Sequence, residues 1–183
     1  MAHVIYSINT TVNGLCHHLD SVVDEAHLEY AINLTLSAEA LILGRTTFDL
    51  FMEFWPGAVE RSELPVMTQA LARAFNAIAK FVVTSRTAEL CWNNSRLLSD
   101  LDQVASLLQK STGRVVVFGS PGLATSMLTK GLVNEIHILA QPFIGVAGPQ
   151  VFKGLAKRTN LSLLGSDSLP AGSVLLRYGV NNG

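Results

Sequence analysis

Apolar runs of strand length alternate with amphipathic stretches along the first three quarters of this 183-residue chain. Strands are predicted at 4–8, 40–43, 78–83, 90–98, 115–118 and 135–139. Apolar residues recur at helical spacing over 22–34, 67–75, 101–109 and 123–129. Alternating strands and helices predict βαβ units, and therefore a mostly parallel central sheet with helices on both faces.

Residues with capping chemistry mark the ends of several of these elements. Ser21 begins a capping-box variant, Thr46 offers a second hydroxyl cap, and Ser99 is placed to cap the helix that follows it. Gly131 is placed to end the last predicted helix. These positions predict where the chain passes between strand and helix.

The C-terminal third lacks helical spacing. Its apolar runs at 161–164 and 174–178 predict an antiparallel pair that closes the sheet. No repeat or linker interrupts the chain, and its length suits one well-buried core. We therefore expect a single α/β domain over residues 1–183.

The composition is apolar for a chain of this class. Hydrophobic residues make up 49% and charged residues 15%, whereas charged residues are about 25% of an average globular domain. A covered parallel sheet uses much of this apolar excess, and a subunit interface would use the rest. We expect a homodimer.

Charge and hydropathy exclude several classes of partner. The net charge is −1 and the basic residues are scattered, so we expect no nucleic-acid partner. No apolar run approaches the ~20 residues of a membrane-spanning helix, so we expect no membrane association and a cytoplasmic protein. Cys16 and Cys91 are too few and too far apart for a disulfide framework.

Three predicted strands are followed by residues suited to phosphate binding. These segments are Gly44-Arg45-Thr46-Thr47, Thr84-Ser85-Arg86 and Gly119-Ser120-Pro121-Gly122. Ligands of open parallel sheets bind at the carboxyl ends of strands. A glycine turn before a helix suits a pyrophosphate, and an arginine beside hydroxyls suits a phosphate monoester such as the 2′-phosphate of NADP. Any one segment alone is typical of a turn or a surface arginine; together they favour a nucleotide site.

The same segments carry a family resemblance that spans nearly the whole chain. They lie in three blocks: Leu43-Gly44-Arg45-Thr46-Thr47-Phe48 with Phe54-Trp55-Pro56; Val82-Val83-Thr84-Ser85-Arg86-Thr87; and 117–123 with 131–136, Pro142, Gly145, Gly148 and Phe152. In order and spacing these blocks resemble the dihydrofolate-reductase-like family, which includes the reductase domain of bacterial riboflavin biosynthesis.

The resemblance implies a three-layer fold, a homodimer and NADPH as cofactor. It implies that Arg45, Thr46 and Thr47, preceded by Gly44, form a first phosphate-binding turn. Ser85 and Arg86, preceded by Thr84, would meet the 2′-phosphate. The pyrophosphate would lie against a third group that consists of Gly119, Ser120, Gly122 and Leu123.

The catalytic residues follow less directly from the sequence. The family's usual first-loop acid is Asn13 here, which cannot donate a proton at neutral pH and is expected to hydrogen-bond instead. Asp49 is a nearby acid, and we take Asn13 and Asp49 as the candidate catalytic residues. Cys16, His17, His18 and Asp20 invite a metal hypothesis, but ligands so close in sequence rarely converge on one ion, so we expect a polar loop and no metal.

Three functions remain open. The first is an NADPH-dependent reductase of a small heterocyclic substrate, pterin- or pyrimidine-like. The second is a catalytically inactive nucleotide-binding or regulatory protein that keeps the cofactor site, and the third is a dimerisation module without a ligand. No zinc-deaminase signature accompanies the reductase-like blocks, which indicates a stand-alone reductase.

Overall fold

The computed structural model describes residues 1–86 and 89–181 of the chain. Its strands are β1 (His3–Thr11), β2 (Ala40–Gly44), β3 (Ala79–Val83), β4 (Ser95–Leu98), β5 (Arg114–Phe118), β6 (Glu135–Gln141), β7 (Asn160–Ser168) and β8 (Val174–Asn181). Its helices are α1 (Glu25–Leu36), α2 (Arg45–Met52), α3 (Trp55–Ala58), α4 (Val66–Ala77), α5 (Leu101–Lys110) and α6 (Pro121–Thr129).

The strands form one sheet in the order β4-β3-β2-β5-β1-β6-β8-β7. β2 pairs in parallel with β3, β3 with β4, and β1 with β6. β8 runs antiparallel to both β6 and β7. The predicted α/β fold, with a mostly parallel sheet and an antiparallel C-terminal pair, is confirmed.

The chain divides into two compact units, which are described separately. The first comprises residues 1–2 and 25–116, and the second comprises residues 3–24 and the chain from residue 117 onward. The expectation of a single domain stays a prediction.

β2 is the most deeply buried strand of the first unit. Leu41, Ile42 and Leu43 have no exposed surface, and Leu71 and Phe75 of α4 are also buried. Three consecutive buried residues place apolar side chains on both faces of β2, as expected of a central parallel strand. This burial fixes the carboxyl end of β2, where the first predicted binding turn begins.

A fully buried lysine lies in the same unit. Lys80 of β3 has no exposed surface, and its ammonium donates to the carbonyls of Phe75 at 2.7 Å and Ile78 at 2.8 Å. The same nitrogen lies 4.5 Å from the centre of the Trp92 ring. Lys80 therefore satisfies carbonyls at the end of α4 that the helix itself leaves without partners.

The second unit is built on β1. Val4, Ile5 and Tyr6 are consecutive and buried, so both faces of this strand are covered. β7 differs, because it is an edge strand whose residues are exposed apart from one half-buried position. Its side chains therefore contribute little to the core of this unit.

Two predicted element boundaries are wrong. The helix predicted from Ser21 begins only at Glu25, because the Val22 N–H donates to the Gln141 side chain at 2.9 Å and the Asp24 carboxylate accepts from the Ala171 N–H at 3.0 Å. The strand predicted over 90–98 is confined to β4. In the first case, contacts with residues far along the chain replace the local cap.

No helix within residues 1–86 and 89–181 is long and apolar enough to cross a membrane.

Candidate active site

Two of the predicted binding turns follow neighbouring strands of the first unit. Gly44, the last residue of β2, pairs with Val83, the last residue of β3. Arg45 begins α2 directly after this point, and Thr84 follows β3. Because the strands are parallel, the segments 44–47 and 84–86 emerge at the same edge of the sheet, as the sequence predicted.

The first turn leads straight into a helix. Gly44 occupies the N-cap position of α2 in an extended conformation and has no side chain to cap it. Arg45, Thr46 and Thr47 therefore form the first turn of α2, and Thr46 is not its cap. Backbone N–H groups and the positive end of the helix dipole meet at such a turn, which favours anions.

Arg45 and Asp49 bind each other across one turn of α2. Arg45 Nε donates to Asp49 Oδ2 at 2.9 Å, and Arg45 Nη2 lies 2.8 Å from Asp49 Oδ1. A side-on pair of this kind fixes the plane of the guanidinium. Both oxygens of Asp49 thus contact Arg45, and its predicted catalytic role stays a prediction.

Arg86 has a different environment. Its side chain is exposed and makes no hydrogen bond or ion pair within the described part of the chain. Its backbone N–H donates to Thr84 Oγ1 at 3.2 Å, so the threonine shapes the turn. Between the two predicted phosphate-binding arginines, Arg86 is the one whose guanidinium has all its donors available.

The third predicted turn lies in the second unit. Gly119 and Ser120 both adopt left-handed backbone conformations, with φ of 56° and 52°. Gly119 N–H donates to the Ser7 carbonyl at 3.0 Å, and Ser120 Oγ donates to the Phe118 carbonyl at 3.1 Å. A left-handed conformation at a residue with a side chain is uncommon and carries a cost of about 1 kcal/mol or more. Such strain is typical of functional turns.

This turn opens α6 at its amino end. Pro121 is the first helical residue, where its missing N–H costs nothing. Gly122 follows, and a β-carbon built on it would have no atom within 4 Å. The backbone of the first turn is therefore open at Gly122. The role of Gly119, Ser120, Gly122 and Leu123 in binding a pyrophosphate stays a prediction.

A cleft of about 410 Å³ adjoins this helix end. It is lined by Leu15, Pro121, Gly122, Gly148, Pro149, Gln150 and Lys153. Lys153 is the charged residue among these, and it is exposed. The cleft therefore combines the polar side chains of Gln150 and Lys153 with apolar and backbone atoms, a mixture that suits a small polar molecule.

Two loops of the second unit wall this cleft. We name them the first loop (residues 11–16) and the second loop (residues 143–151). They are joined by three backbone hydrogen bonds, Val12 N–H to Phe143 O, Cys16 N–H to Pro149 O and Val151 N–H to Gly14 O, and the last two form the antiparallel Leu15–Gln150 bridge. The family resemblance drew attention to Gly145 and Gly148 in the second loop, but nothing in the sequence linked Gln150 or Lys153 to a cleft.

Asn13 joins the same two loops through its side chain. Its Oδ1 accepts from the Gly145 N–H at 2.9 Å and from Thr11 Oγ1 at 2.8 Å, while its Nδ2 donates to the Gly145 carbonyl at 2.9 Å. The amide is thus engaged on both sides. Its predicted catalytic role stays a prediction.

Two weakly acidic groups of this unit are withdrawn from solvent, the half-buried Cys16 of the first loop and the buried Tyr6 of β1. Burial raises the pKa of the Cys16 thiol to about 11, and its Sγ donates to the Pro149 carbonyl. Burial also raises the pKa of Tyr6, whose hydroxyl has no hydrogen-bond partner among the described residues. Both groups are therefore neutral near pH 7.

Comparison with known proteins places this chain in a family. The family model of the RibD C-terminal domain matches residues 3–175, which is nearly the whole chain. The chain belongs to the RibD C-terminal domain family. The match covers all three of the predicted binding turns and both loops of the cleft. The resemblance stated from the sequence is thus confirmed.

Relatives of this RibD C-terminal domain protein are distant in sequence and similar in fold. The uncharacterised protein YyaP of Bacillus subtilis (strain 168) is 23% identical over 180 residues, covering 96% of this chain and 93% of YyaP. A solved candidate riboflavin biosynthesis protein from Shewanella sp. PV-4 is 18% identical, with a TM-score of 0.73 and 100% of each chain covered. A pyrimidine reductase-like protein from Corynebacterium diphtheriae is 15% identical, with a TM-score of 0.69, covering 100% of this chain and 93% of the other.

Proposed function

We propose that this protein is an NADPH-dependent reductase of a small pyrimidine- or pterin-like heterocycle. The observation that carries the proposal is the left-handed Gly119–Ser120 turn, which opens α6 beside a 410 Å³ cleft. Membership of the RibD C-terminal domain family supports it. So does the name of the pyrimidine reductase-like relative, which indicates the class of substrate.

The pyrophosphate of the cofactor would bind at the amino end of α6. Backbone N–H groups of the first helical turn are suited to its oxygens, and Gly122 leaves room for them. Lys153 in the adjoining cleft supplies a positive charge. NADPH itself supplies the hydride when bound, and the protein binds, orients and shields the reactants.

The 2′-phosphate would bind to Ser85 and Arg86. Among residues 1–86 and 89–181 no group binds the Arg86 guanidinium, whereas Arg45 is held by Asp49. An arginine fork matches a phosphate monoester in geometry and in charge. This assignment predicts a preference for NADPH over NADH.

Asp49 is poorly suited to donate a proton in this reaction. Both of its oxygens already contact the Arg45 guanidinium, at 2.9 and 2.8 Å, and are occupied as hydrogen-bond acceptors. We therefore propose that Asp49 orients Arg45 beside the cofactor. Solvent or the substrate's own surroundings would then supply the proton.

The alternative function, nucleotide binding without turnover, has one observation in its favour. Asn13 stands where the family resemblance implies an acid, and both sides of its amide are engaged by loop residues. Under this alternative the cofactor still binds. The two functions differ only in whether a pyrimidine or pterin substrate stimulates oxidation of NADPH.

The first test is the rise in melting temperature that each nucleotide produces. NADPH at 100 times its dissociation constant adds about 2.7 kcal/mol, or roughly 5–10 °C for a chain of this size. We expect this rise for NADPH, a smaller one for NADH at equal concentration, and loss of the difference in Arg86→Ala. Arg73→Ala, which removes an exposed arginine from α4, is the matched control.

No rise with either nucleotide would refute the proposed cofactor. An NADPH-selective rise that survives in Arg86→Ala would refute the assignment of the 2′-phosphate. If NADPH binds and its oxidation stays at background with a panel of pyrimidines and pterins, the alternative without turnover is favoured.

A further inference from the structure

We propose that Asn13 is a positioning residue that fixes the shape of the cleft, and that it takes no part in the chemistry. It does so by clamping the first loop (residues 11–16) to the second loop (residues 143–151). The inference rests on the proposed function in one respect, since it takes the nucleotide as the molecule that the cleft accepts.

The clamp consists of three short hydrogen bonds to one amide group. Two of them are reciprocal, because the Gly145 N–H donates to Asn13 Oδ1 and Asn13 Nδ2 donates to the Gly145 carbonyl, each at 2.9 Å. Thr11 Oγ1 donates to the same Oδ1 at 2.8 Å. The Asn13 amide thus pairs with the Gly145 backbone as a residue of a neighbouring strand would. Within the described residues, no backbone group of the first loop is hydrogen-bonded to Gly145.

The clamp requires an amide. One side of the group must accept two hydrogen bonds while the other donates, and an ionised carboxylate can only accept. With aspartate at this position, one carboxylate oxygen would face the Gly145 carbonyl oxygen at hydrogen-bonding distance and repel it. A protonated aspartate, by contrast, donates through its hydroxyl and restores the pattern.

The clamp acts on the residues that wall the cleft. Leu15 lies two positions after Asn13, and Gln150 and Pro149 lie in the second loop, on the far side of Gly145. Space at Gly145 is limited, since a β-carbon built there would come within 3.0–3.2 Å of Thr11, Asp20 and Leu15. The loops are therefore closely fitted here, and loss of the clamp would release Gly145 from the first loop next to the Leu15–Gln150 bridge that walls the cleft.

The consequence for binding differs from that of losing Arg86. The cleft adjoins the helix end proposed for the pyrophosphate, which NADPH and NADH share. Loosening the loops should therefore weaken the binding of NADPH and of NADH by the same factor. Loss of a hydrogen-bonded clamp of this kind corresponds to roughly a fivefold to tenfold change.

The test uses Asn13→Asp, with dissociation constants measured for NADP⁺ and NAD⁺, because the oxidised nucleotides tolerate acid. At about pH 8 we expect both constants to rise roughly fivefold to tenfold over the wild type at the same pH. At about pH 4, near the ordinary pKa of an aspartate, the ratio of variant to wild type should fall toward one. Asn33→Asp adds the same charge at an exposed position of α1. It should leave the dissociation constants of NADP⁺ and NAD⁺ equal to those of the wild type at both pH values.

A second readout needs no nucleotide. Hydrogen exchange of the amides of Val12, Cys16, Gly145 and Val151 reports on the pairing of the loops, and at about pH 8 exchange in Asn13→Asp should be faster there and unchanged in α4. If the wild type binds no nucleotide, the proposed function fails while this readout still decides the clamp. Unchanged hydrogen exchange in the loops of Asn13→Asp would overturn the inference. Loss of turnover with unchanged nucleotide affinity would also overturn it, because that result would assign the Asn13 amide to the reaction.

Discussion

The charged side chain of Lys80 is fully shielded from solvent. Its ammonium is held by two carbonyls near the end of α4 and by the face of Trp92. Nothing in the apolar run over 78–83 foretold this contact, because Trp92 and the end of α4 come from other parts of the chain. The sequence predicted the strand and could not predict that its one charged residue points inward.

Burial has a measurable effect on this lysine. It lowers the pKa of Lys80 to about 8, from the ordinary value of 10.5. Between these values the unfolded chain binds the proton more tightly than the folded chain, so the free energy of unfolding rises as the pH rises from 8 to 10.5. At 1.36 kcal/mol per pKa unit, the gain is at most about 3 kcal/mol.

Urea denaturation at several pH values in this window checks the prediction. In Lys80→Met this contribution should vanish. The difference in free energy of unfolding between wild type and variant should therefore change as the pH rises. Lys157→Met, an exposed lysine, is the control and should follow the wild type. Parallel curves for wild type and Lys80→Met would contradict the assigned pKa.

Local signals predicted most elements and failed where distant residues compete for the same backbone groups. The helix expected from Ser21 is shortened because Gln141 and Ala171 bind the segment before it. At α5 the predicted cap is off by one residue. Asp100 is the cap, with Oδ1 accepting from Asp102 N–H at 3.0 Å and Gln103 N–H at 2.9 Å, while Ser99 donates to Asp100.

The correction at α5 gives a prediction for the helix as a unit. Asp100→Ala removes the oxygen that accepts both of these hydrogen bonds and should lower the free energy of unfolding by about 1 kcal/mol. Ser99→Ala leaves them in place and should cost clearly less. Urea denaturation of the two variants decides which residue caps α5; equal losses would restore Ser99 as a partner in the cap.

At the scale of the whole molecule, the sequence predicted the sheet and the positions of the turns at its strand ends, because both follow from the alternation of strands and helices. The binding role of these turns stays a prediction. The cleft was not predictable in the same way. Its walls come from loops that are about 130 residues apart in sequence and that are joined by backbone hydrogen bonds and by the Asn13 amide. The proposed homodimer also belongs to this scale, since no local pattern specifies a partner surface.

We propose β7 as the surface of that homodimer. It is an edge strand, and Leu163 and Leu164 are 61% and 56% exposed. Exposed apolar edges invite pairing with another strand. Light scattering at micromolar concentration should give a dimer for the wild type and a monomer for Leu163→Asp. Val66→Asp, at a residue of α4 that is 76% exposed, should stay a dimer; a dimeric Leu163→Asp would exclude β7.

The parallel pairing of β1 with β6 joins the start of the chain to residues that are synthesised much later. The Val4 N–H takes the side chain of Asn134, 130 residues further on, as its partner. A ribosome that adds ~5–20 residues per second needs on the order of ten seconds to deliver that partner. Throughout this interval one of the most apolar segments of the chain is outside the ribosome without its neighbour. The pairing of β1 with β6 can therefore form only after about three quarters of the chain has been made.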